Sequence, residues 1–277
     1  MRFSRLAATL IATAASLPAL AEDAPSPVTG NMTIVSDYRF RGLSQTYGGP
    51  AVQGGVDYAG PAGLYLGTWL SNVSGNQYLN GSGLEMDIYG GWKKSFGDFT
   101  LDLGTLFYYY PNAHYNNSAY TKFDNHELYV GTSYKWVTFK MSYTLTNFFG
   151  TNKDTYGGAC QKTDPGYGKV AAECFGSDPG KSTGSTYWDL TANIPVTEKI
   201  TINTHVGRQI VRNYGFLNYS DYKLGATYDL SGWAIGGAVI GTNAEKGWYY
   251  ACDTSSPSTR CRKIGEPTFV VSVGKTF

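Results

Sequence analysis

Charged and aromatic residues alternate in the segment SDYRFRGLSQT, residues 36–46. Successive side chains of an extended strand point to opposite faces, so Asp37, Arg39 and Arg41 would share one face. Guanidinium and carboxylate groups that face a water-filled passage create a field that orients polar solutes and selects among them. The same groups can instead pair with buried carboxylates and neutralise them. Either role needs an enclosed interior that the charged face lines.

The opposite face of this segment is apolar and aromatic. Met32, Ile34, Tyr38 and Phe40 fall on it. An arginine on a lipid-facing barrel surface costs about 2–4 kcal/mol at the bilayer midplane. We therefore expect the aromatic face to meet lipid and the three charged residues to meet the interior.

The same parity extends the interior face through the rest of the chain. The first four strands contribute the lumen and constriction candidates Asp37, Arg39, Arg41, Gln53, Asp57, Tyr65, Trp69, Glu85, Asp87 and Tyr89, together with Lys93. Later strands add His205, also a constriction candidate, and Asp102, Glu127, Lys135, Lys140, Asp189, Asn193, Asn203, Gln209, Lys223 and Asp229. Both signs of charge are present, which argues against a funnel for ions of a single sign.

Two interpretations of this interior remain open. In the first it is a selectivity constriction, and Tyr65, Trp69 and Tyr89 add a stacking surface for sugars or nucleosides. In the second Arg39 and Arg41 pair with nearby carboxylates such as those of Asp57, Glu85 and Asp87, and the side chains fill the interior.

Enzymatic chemistry has little support in the sequence. A hydrolase needs a nucleophile activated by a base, and the chain has three histidines. His126 lies beside Glu127 with Ser118 nearby, but no nucleophile motif accompanies them. The loop 148–184 lacks the calcium-binding spacing of an EF-hand, and no histidine lies near a cysteine. We therefore predict no catalytic residues, no metal site and no cofactor.

Twelve segments with period-two alternation would position the interior face. Most are ten to thirteen residues long, whereas soluble strands average about five or six residues and tilted membrane strands need about nine to eleven. The segments are 31–41, 51–59, 63–72, 84–94, 98–110, 125–136, 137–147, 185–194, 198–210, 220–230, 233–243 and 267–277.

The connections between these segments alternate between long loops and tight turns. The long ones are 42–50, 73–83, 111–124, 148–184, 211–219 and 244–266, and the short ones include GPA, SFG and VTE. This arrangement is typical of outer-membrane barrels, whereas a soluble β-sandwich has no reason to sort its loops by length. We predict an all-β fold, a transmembrane antiparallel up-and-down β-barrel of 12 strands with short periplasmic turns and long extracellular loops.

The N-terminus resembles a secretory signal. Arg2 and Arg5 precede a short apolar stretch and the small-residue motif Ala19-Leu20-Ala21. We predict a cleaved signal peptide at 1–21, a short periplasmic segment at 22–30 and one barrel domain at 31–277. Removal of the two arginines leaves 20 basic against 21 acidic residues, which argues against a basic surface for nucleic acid.

The cysteines and the C-terminus fit the same location. In an oxidising compartment Cys160 can pair with Cys174, and Cys252 with Cys261, each within one long loop. Phe277 ends an alternating strand like the sorting signal that the barrel-assembly machinery reads. Lys275 departs from that pattern, and we expect it to face outward near the periplasmic rim, where a long side chain can reach water.

The motifs SDYRFRGLSQT, AVQGGVDY, GLYLGTWLSNV and LEMDIYGG stand together within residues 31–95. This part of the chain resembles the TorF-type family of proteobacterial outer-membrane porins. The resemblance implies a pore in the outer membrane of a Gram-negative bacterium, without a settled solute. We expect passive diffusion of small polar solutes through a narrow charged lumen. Two alternatives remain: a closed barrel that acts through its surface loops as an adhesin or scaffold, and, less favoured, an outer-membrane hydrolase.

Overall fold

A computed structural model describes residues 26–156, 180–253 and 260–277. The predicted signal peptide and the cysteine pair Cys160–Cys174 lie outside these ranges. Within them, no helix combines the length and the apolar character needed to cross a membrane.

Strands make up most of the described chain. They are β1 Val28–Val35, β2 Arg39–Phe40, β3 Leu43–Ser44, β4 Ala51–Ala59, β5 Leu64–Asn72, β6 Leu84–Phe96, β7 Phe99–Tyr109, β8 Asn125–Tyr134, β9 Val137–Thr144, β10 Thr186–Pro195, β11 Ile200–Ile210, β12 Tyr219–Leu230, β13 Trp233–Thr242, β14 Tyr250–Asp253, β15 Arg260–Lys263 and β16 Thr268–Thr276. The short helices are α1 Lys153–Tyr156 and the 3-10 turns Pro61–Gly63, Phe148–Gly150 and Gly215–Leu217.

Twelve of these strands close into an antiparallel barrel. Its order is β1-β16-β13-β12-β11-β10-β9-β8-β7-β6-β5-β4, and β1 pairs with both β16 and β4. Closure leaves no unpaired sheet edge. The predicted twelve-stranded antiparallel barrel is confirmed, and the four remaining strands form two small hairpins, β2–β3 and β14–β15.

Alternation along each barrel strand separates two surfaces. On β12 the apolar side chains Leu224 and Leu230 are 62% and 50% exposed, whereas Asp221 and Thr227 of the other face are buried. The strands are 8 to 13 residues long. A continuous apolar outer surface therefore surrounds an interior of polar, charged and aromatic side chains.

The first segment is where the structure departs from the predicted strand 31–41. Strand β1 begins at Val28 and ends at Val35, after which residues 36–50 leave the wall and fold into the barrel. Tyr38 is only 3% exposed, and Phe40 packs against Tyr108 and Phe149. The expectation that Tyr38 and Phe40 face lipid is wrong, because period-two alternation describes an inward hairpin as well as a wall strand.

The β2–β3 hairpin turns at Arg41 and Gly42, whose φ angles are 47° and 79°. Positive φ at both central residues is the geometry of the type I′ turn, which matches the twist of two-residue hairpins and favours glycine. Phe40 pairs with Leu43 across this turn. The chain direction therefore reverses inside the barrel, with Arg41 at the tip.

The predicted disulfide between Cys252 and Cys261 is confirmed. The two residues face each other across the β14–β15 hairpin and are bonded. This hairpin contacts the loop that follows β3, because Arg262 Nη1 donates to the Tyr47 carbonyl at 3.0 Å.

The C-terminal strand closes the ring beside β1. The Phe277 N–H donates to the Gly30 carbonyl at 2.7 Å. Lys275 faces outward as expected, with its Nζ 5.3 Å from the Trp233 ring centre and 5.7 Å from that of Phe277.

Candidate functional site

Arg39 and Asp37 fix the inward hairpin to one side of the barrel. Arg39 Nε donates to Asp37 Oδ2 at 2.7 Å, and Asp37 Oδ1 accepts a hydrogen bond from Ser44 Oγ at 2.6 Å. The two amino groups of Arg39 reach the β16 side of the wall. They donate to the carbonyls of Ile264 at 3.1 Å and Glu266 at 3.0 Å and to Thr268 Oγ1 at 2.8 Å. These contacts make Arg39 an anchor of the hairpin.

Arg41 crosses from this hairpin to the far side of the lumen. Its Nη2 donates to the two carboxylate oxygens of Glu127 on β8 at 2.7 and 3.0 Å. Its Nη1 donates to Gln209 Oε1 on β11 at 2.8 Å. In the ring of twelve strands β8 lies six places from β16 in either direction. The hairpin and Arg41 therefore bridge opposite walls.

Aromatic rings and burial complete the guanidinium site. The guanidinium carbon of Arg41 lies 4.2 Å from the Tyr187 ring centre and 4.7 Å from that of Phe40. The side chains of Arg41 and Glu127 are 6% and 1% exposed. Burial disfavours the charged guanidinium, but the Glu127 carboxylate outweighs burial and raises the pKa of Arg41 above its usual value. The pair is therefore ionic and shielded from water.

Two further carboxylates lie next to this site on β6. Glu85 and Asp87 are 1% and 3% exposed. Glu85 Oε1 accepts a hydrogen bond from the Tyr38 hydroxyl at 3.1 Å. Glu85 Oε2 and Asp87 Oδ1 have no hydrogen-bond partner among the described residues. Burial raises the pKa of Tyr38 well above its usual value, so its hydroxyl remains a donor.

Asp87 lies between aromatic neighbours. In register it faces Trp69 on β5 and Tyr108 on β7, and both of these side chains are buried. The Tyr108 hydroxyl also donates to Glu127 Oε2 at 3.4 Å. Tyr108 on β7 thus lies between Asp87 on β6 and Glu127 on β8.

A second polar layer lies closer to the short turns. The Tyr65 hydroxyl donates to Asp102 Oδ1 at 2.7 Å and also contacts the Tyr129 hydroxyl. Lys93 Nζ lies 3.8 Å from Asp102 Oδ2, and Lys140 Nζ lies 4.3 Å from the Tyr129 ring centre. A small cavity opens here, lined by Lys93, Asp102, Tyr129, Gly131, Ser133, Thr138 and Lys140.

His205 occupies a separate part of the interior. Its two ring nitrogens lie 3.2 Å from Asp189 Oδ2 and 2.7 Å from Asp221 Oδ1. The Tyr187 hydroxyl is 3.0 Å from His205 Nε2. The Tyr187 side chain therefore connects the His205 cluster to Arg41, because its ring lies beneath the guanidinium.

All eleven constriction candidates lie in the interior, but several contacts differ from those expected. Arg39 pairs with Asp37 and Arg41 with Glu127, so the expected ion pairs of these arginines with Asp57, Glu85 and Asp87 are not formed. Gln53 Nε2 donates to Ser71 Oγ at 3.3 Å, and the Tyr89 hydroxyl donates to Asp57 Oδ1 at 2.5 Å.

The proposed stacking surface is not open. Trp69 and Tyr89 are 4% and 3% exposed because other side chains cover them. Lys135 is not in the lumen: it is exposed at the β8–β9 turn, and its Nζ lies 5.4 Å from the Tyr134 ring centre. At a turn the parity of the preceding strand no longer sets the direction of a side chain.

Sequence reasoning did not single out Tyr187 and Tyr108. Their parity with Asp189 and Asp102 places both on the interior face. Parity could therefore have identified both residues as interior side chains. A tyrosine near a strand end, however, also fits the lipid-facing aromatic belt of a membrane barrel.

The candidate hydrolase group is not assembled. His126 and Glu127 are successive residues of β8 and point to opposite sides of the wall. His126 Nε2 lies 2.7 Å from Thr105 Oγ1, whereas Glu127 binds Arg41. In the described ranges no group of three or more histidine, cysteine, aspartate or glutamate side chains is placed to hold a metal ion.

Comparison with known proteins gives a family and a set of similar folds. Residues 19–277 match the model of a family described as "Bacterial protein of unknown function (Gcw_chp)". No curated protein matches the chain in sequence. Among solved structures, the KdgM porin is 8% identical with a TM-score of 0.46, and the alignment covers 90% of this chain and 99% of that chain. The NanC porin is 9% identical with a TM-score of 0.48 and coverages of 90% and 98%. A FadL homologue of Pseudomonas aeruginosa is 11% identical with a TM-score of 0.41 and coverages of 91% and 90%.

Proposed function

The chain belongs to the Gcw_chp family of bacterial proteins of unknown function, and we propose that it is an outer-membrane channel through which small polar solutes diffuse. The observation that carries this proposal is the separation of surfaces on a closed barrel. Exposed apolar side chains such as Leu224, Val206 and Phe269 cover the outside, and charged and polar side chains line the inside.

Lipid is the environment that this outer surface fits. Exposed apolar residues recur on the outer face of nearly every barrel strand, and a soluble protein rarely exposes an apolar patch of more than a few hundred Å². A closed barrel also satisfies its backbone hydrogen bonds between strands, which the hydrocarbon core of a membrane requires. Bacterial barrels of this type belong to the outer membrane of Gram-negative cells. Phe277 would then present the C-terminal signal to the barrel-assembly machinery.

The constriction of the channel would be the inward hairpin. Residues 36–50 bridge opposite walls, and Arg41, Glu127 and Gln209 span the gap beyond the hairpin tip. Solutes that pass this level must move between charged and hydroxyl-bearing side chains, which favours small polar molecules. The resemblance of residues 36–46 to TorF-type porins is in keeping with this assignment.

Single-channel conductance of the refolded protein in planar bilayers tests the proposal. Wild type should give discrete steps. Arg41→Ala should give larger steps because the side chain that crosses the lumen is removed. Arg208→Ala is the matched control: Arg208 is exposed on the outer face of β11 and donates to Ser220 Oγ at 3.2 Å, so its removal should leave the steps unchanged.

Absence of conductance steps from wild type, Arg41→Ala and Arg208→Ala would overturn the channel proposal, provided that heat-modifiable gel mobility shows each protein to be folded. The buried hairpin would then be a permanent plug, and the surface loops would become the functional part, as in an adhesin or scaffold. Step sizes that change equally in both arginine variants would remove Arg41 from the permeation path.

A further inference from the structure

We propose that Arg41 occupies a receptor for guanidinium groups, and that solutes carrying a guanidinium or amidinium group bind the lumen by displacing it. This inference rests on the proposed channel function and names the class of solute. The protein's own side chain would be a resident ligand, and the hairpin that carries it would be released when a free solute takes its place.

The receptor has the parts that recognise a planar cation. Glu127 offers both carboxylate oxygens, Gln209 offers an amide oxygen, and the rings of Tyr187 and Phe40 lie against the guanidinium. A guanidinium presents its donors in a rigid planar fork, whereas an ammonium is a compact point charge. The site therefore matches a guanidinium group in charge, in hydrogen-bond acceptors and in shape.

Most of these groups belong to the wall and not to the hairpin. Glu127 is on β8, Tyr187 on β10 and Gln209 on β11, and they are 1%, 6% and 0% exposed. Only Phe40 moves with Arg41. Withdrawal of the hairpin tip would leave a buried carboxylate, an amide oxygen and an aromatic ring still in place, and an uncompensated buried charge favours entry of another cation.

The neighbouring wall carries acceptor oxygens that Arg41 does not reach. Glu85 Oε2 and Asp87 Oδ1 are buried without a hydrogen-bond partner in the described part of the chain. Trp69 and Tyr108 flank Asp87 in register, and aromatic faces attract cations. A solute with a second amino group could therefore contact Asp87 while its guanidinium binds Glu127.

A free solute must compete with the Arg41 side chain, which is tethered beside the receptor by its own backbone. A group on a short tether faces its site at an effective concentration in the millimolar range. A free solute therefore needs roughly millimolar concentration to displace Arg41. Such weak binding suits a channel, in which a solute must leave the site as readily as it enters.

Chemical complementation of Arg41→Ala tests the site. Methylguanidinium chloride, which reproduces the end of an arginine side chain, is added to the open variant in planar bilayers. We expect saturable block of the Arg41→Ala steps at millimolar concentration, and several-fold weaker block of wild type because Arg41 already fills the receptor. Tetramethylammonium chloride at equal ionic strength is the control cation, since it lacks the planar fork.

A second variant ties the effect to the receptor. Arg41→Ala combined with Glu127→Gln removes the carboxylate with little change in shape, and methylguanidinium should then block no better than tetramethylammonium. Equal block of the single and double variants, or equal block by the two cations, would overturn the inference while leaving the channel proposal intact.

A binding assay tests the receptor even when the protein gives no conductance steps. Methylguanidinium should raise the temperature at which folded Arg41→Ala loses its heat-modifiable gel mobility, and should not do so for the double variant. If Arg41→Ala does not fold, Arg41→Lys replaces it, because lysine keeps a cation without the fork and should be displaced more readily than arginine. Absence of a specific shift with the folded protein contradicts the receptor whether or not the barrel conducts.

Discussion

At the scale of single residues, the Arg41–Glu127 pair holds two full charges where the side chains are 6% and 1% exposed. Desolvation of both charges is offset by the bidentate contact and by the hydrogen bond to Gln209. Removal of one partner leaves the other charge buried and unpaired, which costs about 3–5 kcal/mol. Replacement of one partner should therefore lower the stability of the barrel strongly, whereas replacement of both together should cost less than the two single losses combined.

Glu127→Ala should destabilise the folded barrel by about 3–5 kcal/mol, because it strands the Arg41 guanidinium. Combined with Arg41→Ala, the loss should be clearly smaller than the sum of the two single losses. Urea unfolding followed by tryptophan fluorescence measures all three variants. Additive losses would contradict the contact between the two side chains.

At the scale of elements, the β2–β3 hairpin depends on a turn that only glycine fits well. Gly42 has a φ of 79°, and an added Cβ would lie against Thr242 Cγ2 and 2.7 Å from Asp221 Cβ. The hairpin tip is thus seated directly on β12 and β13. Any side chain at position 42 meets both an unfavourable backbone conformation and the wall.

Gly42→Ala should dislodge the hairpin and enlarge the conductance steps, which is also the effect expected of Arg41→Ala. Gly232→Ala is the matched control, since Gly232 has a φ of 87° but an added Cβ would meet nothing within 4 Å. Both variants carry backbone strain of roughly 1–2 kcal/mol, and only the first also carries the clash. Equal step sizes in the two variants would count against a hairpin seated on the wall.

The disulfide-linked β14–β15 hairpin is the other small element. Since the disulfide lies outside the closed ring, replacement of Cys252 and Cys261 by serine should leave the heat-modifiable mobility of the barrel unchanged. Cleavage by added trypsin after the exposed residues Arg260, Arg262 and Lys263 should become faster. Loss of the folded band on replacement would show instead that the ring depends on this loop.

At the scale of the whole molecule, acidic side chains outnumber basic ones on the interior face of the described chain. Among the described residues, nine carboxyl groups face the interior, against five lysine and arginine side chains and His205. The carboxylates belong to Asp37, Asp57, Glu85, Asp87, Asp102, Glu127, Asp189, Asp221 and Asp229, and the basic groups to Arg39, Arg41, Lys93, Lys140 and Lys223. The whole chain has nearly equal numbers of acidic and basic residues. The excess of acidic side chains appears only when the residues that face the interior are identified by parity and burial.

The channel should therefore prefer cations, and the reversal potential in a potassium chloride gradient measures this preference. Glu127→Gln should weaken it, because Glu127 lies at the constriction and binds Arg41. Asp229→Asn, at the strand end near a short turn, should have a smaller effect. An anion preference in wild type would show that the basic side chains dominate the path.

Much of the fold was accessible from the sequence alone. Alternation with period two is a local property of the backbone, so the strands β4 and β12 were located to within one residue of the bounds in the structure. The number of alternating segments predicted the twelve strands, and the sorting of loops by length predicted the closed barrel. Two cysteines nine positions apart in one loop identified the disulfide Cys252–Cys261.

The tertiary structure alone decided the path of residues 36–50 and the partner of Arg41. An alternating segment satisfies the same local pattern in a wall strand and in an inward hairpin, and only packing against Phe149, Tyr108 and β12 distinguishes the two. Arg41 and Glu127 are 86 residues apart in the chain. Closure of the barrel brings them together across the lumen, and no local pattern records a contact that depends on the curvature of the whole ring.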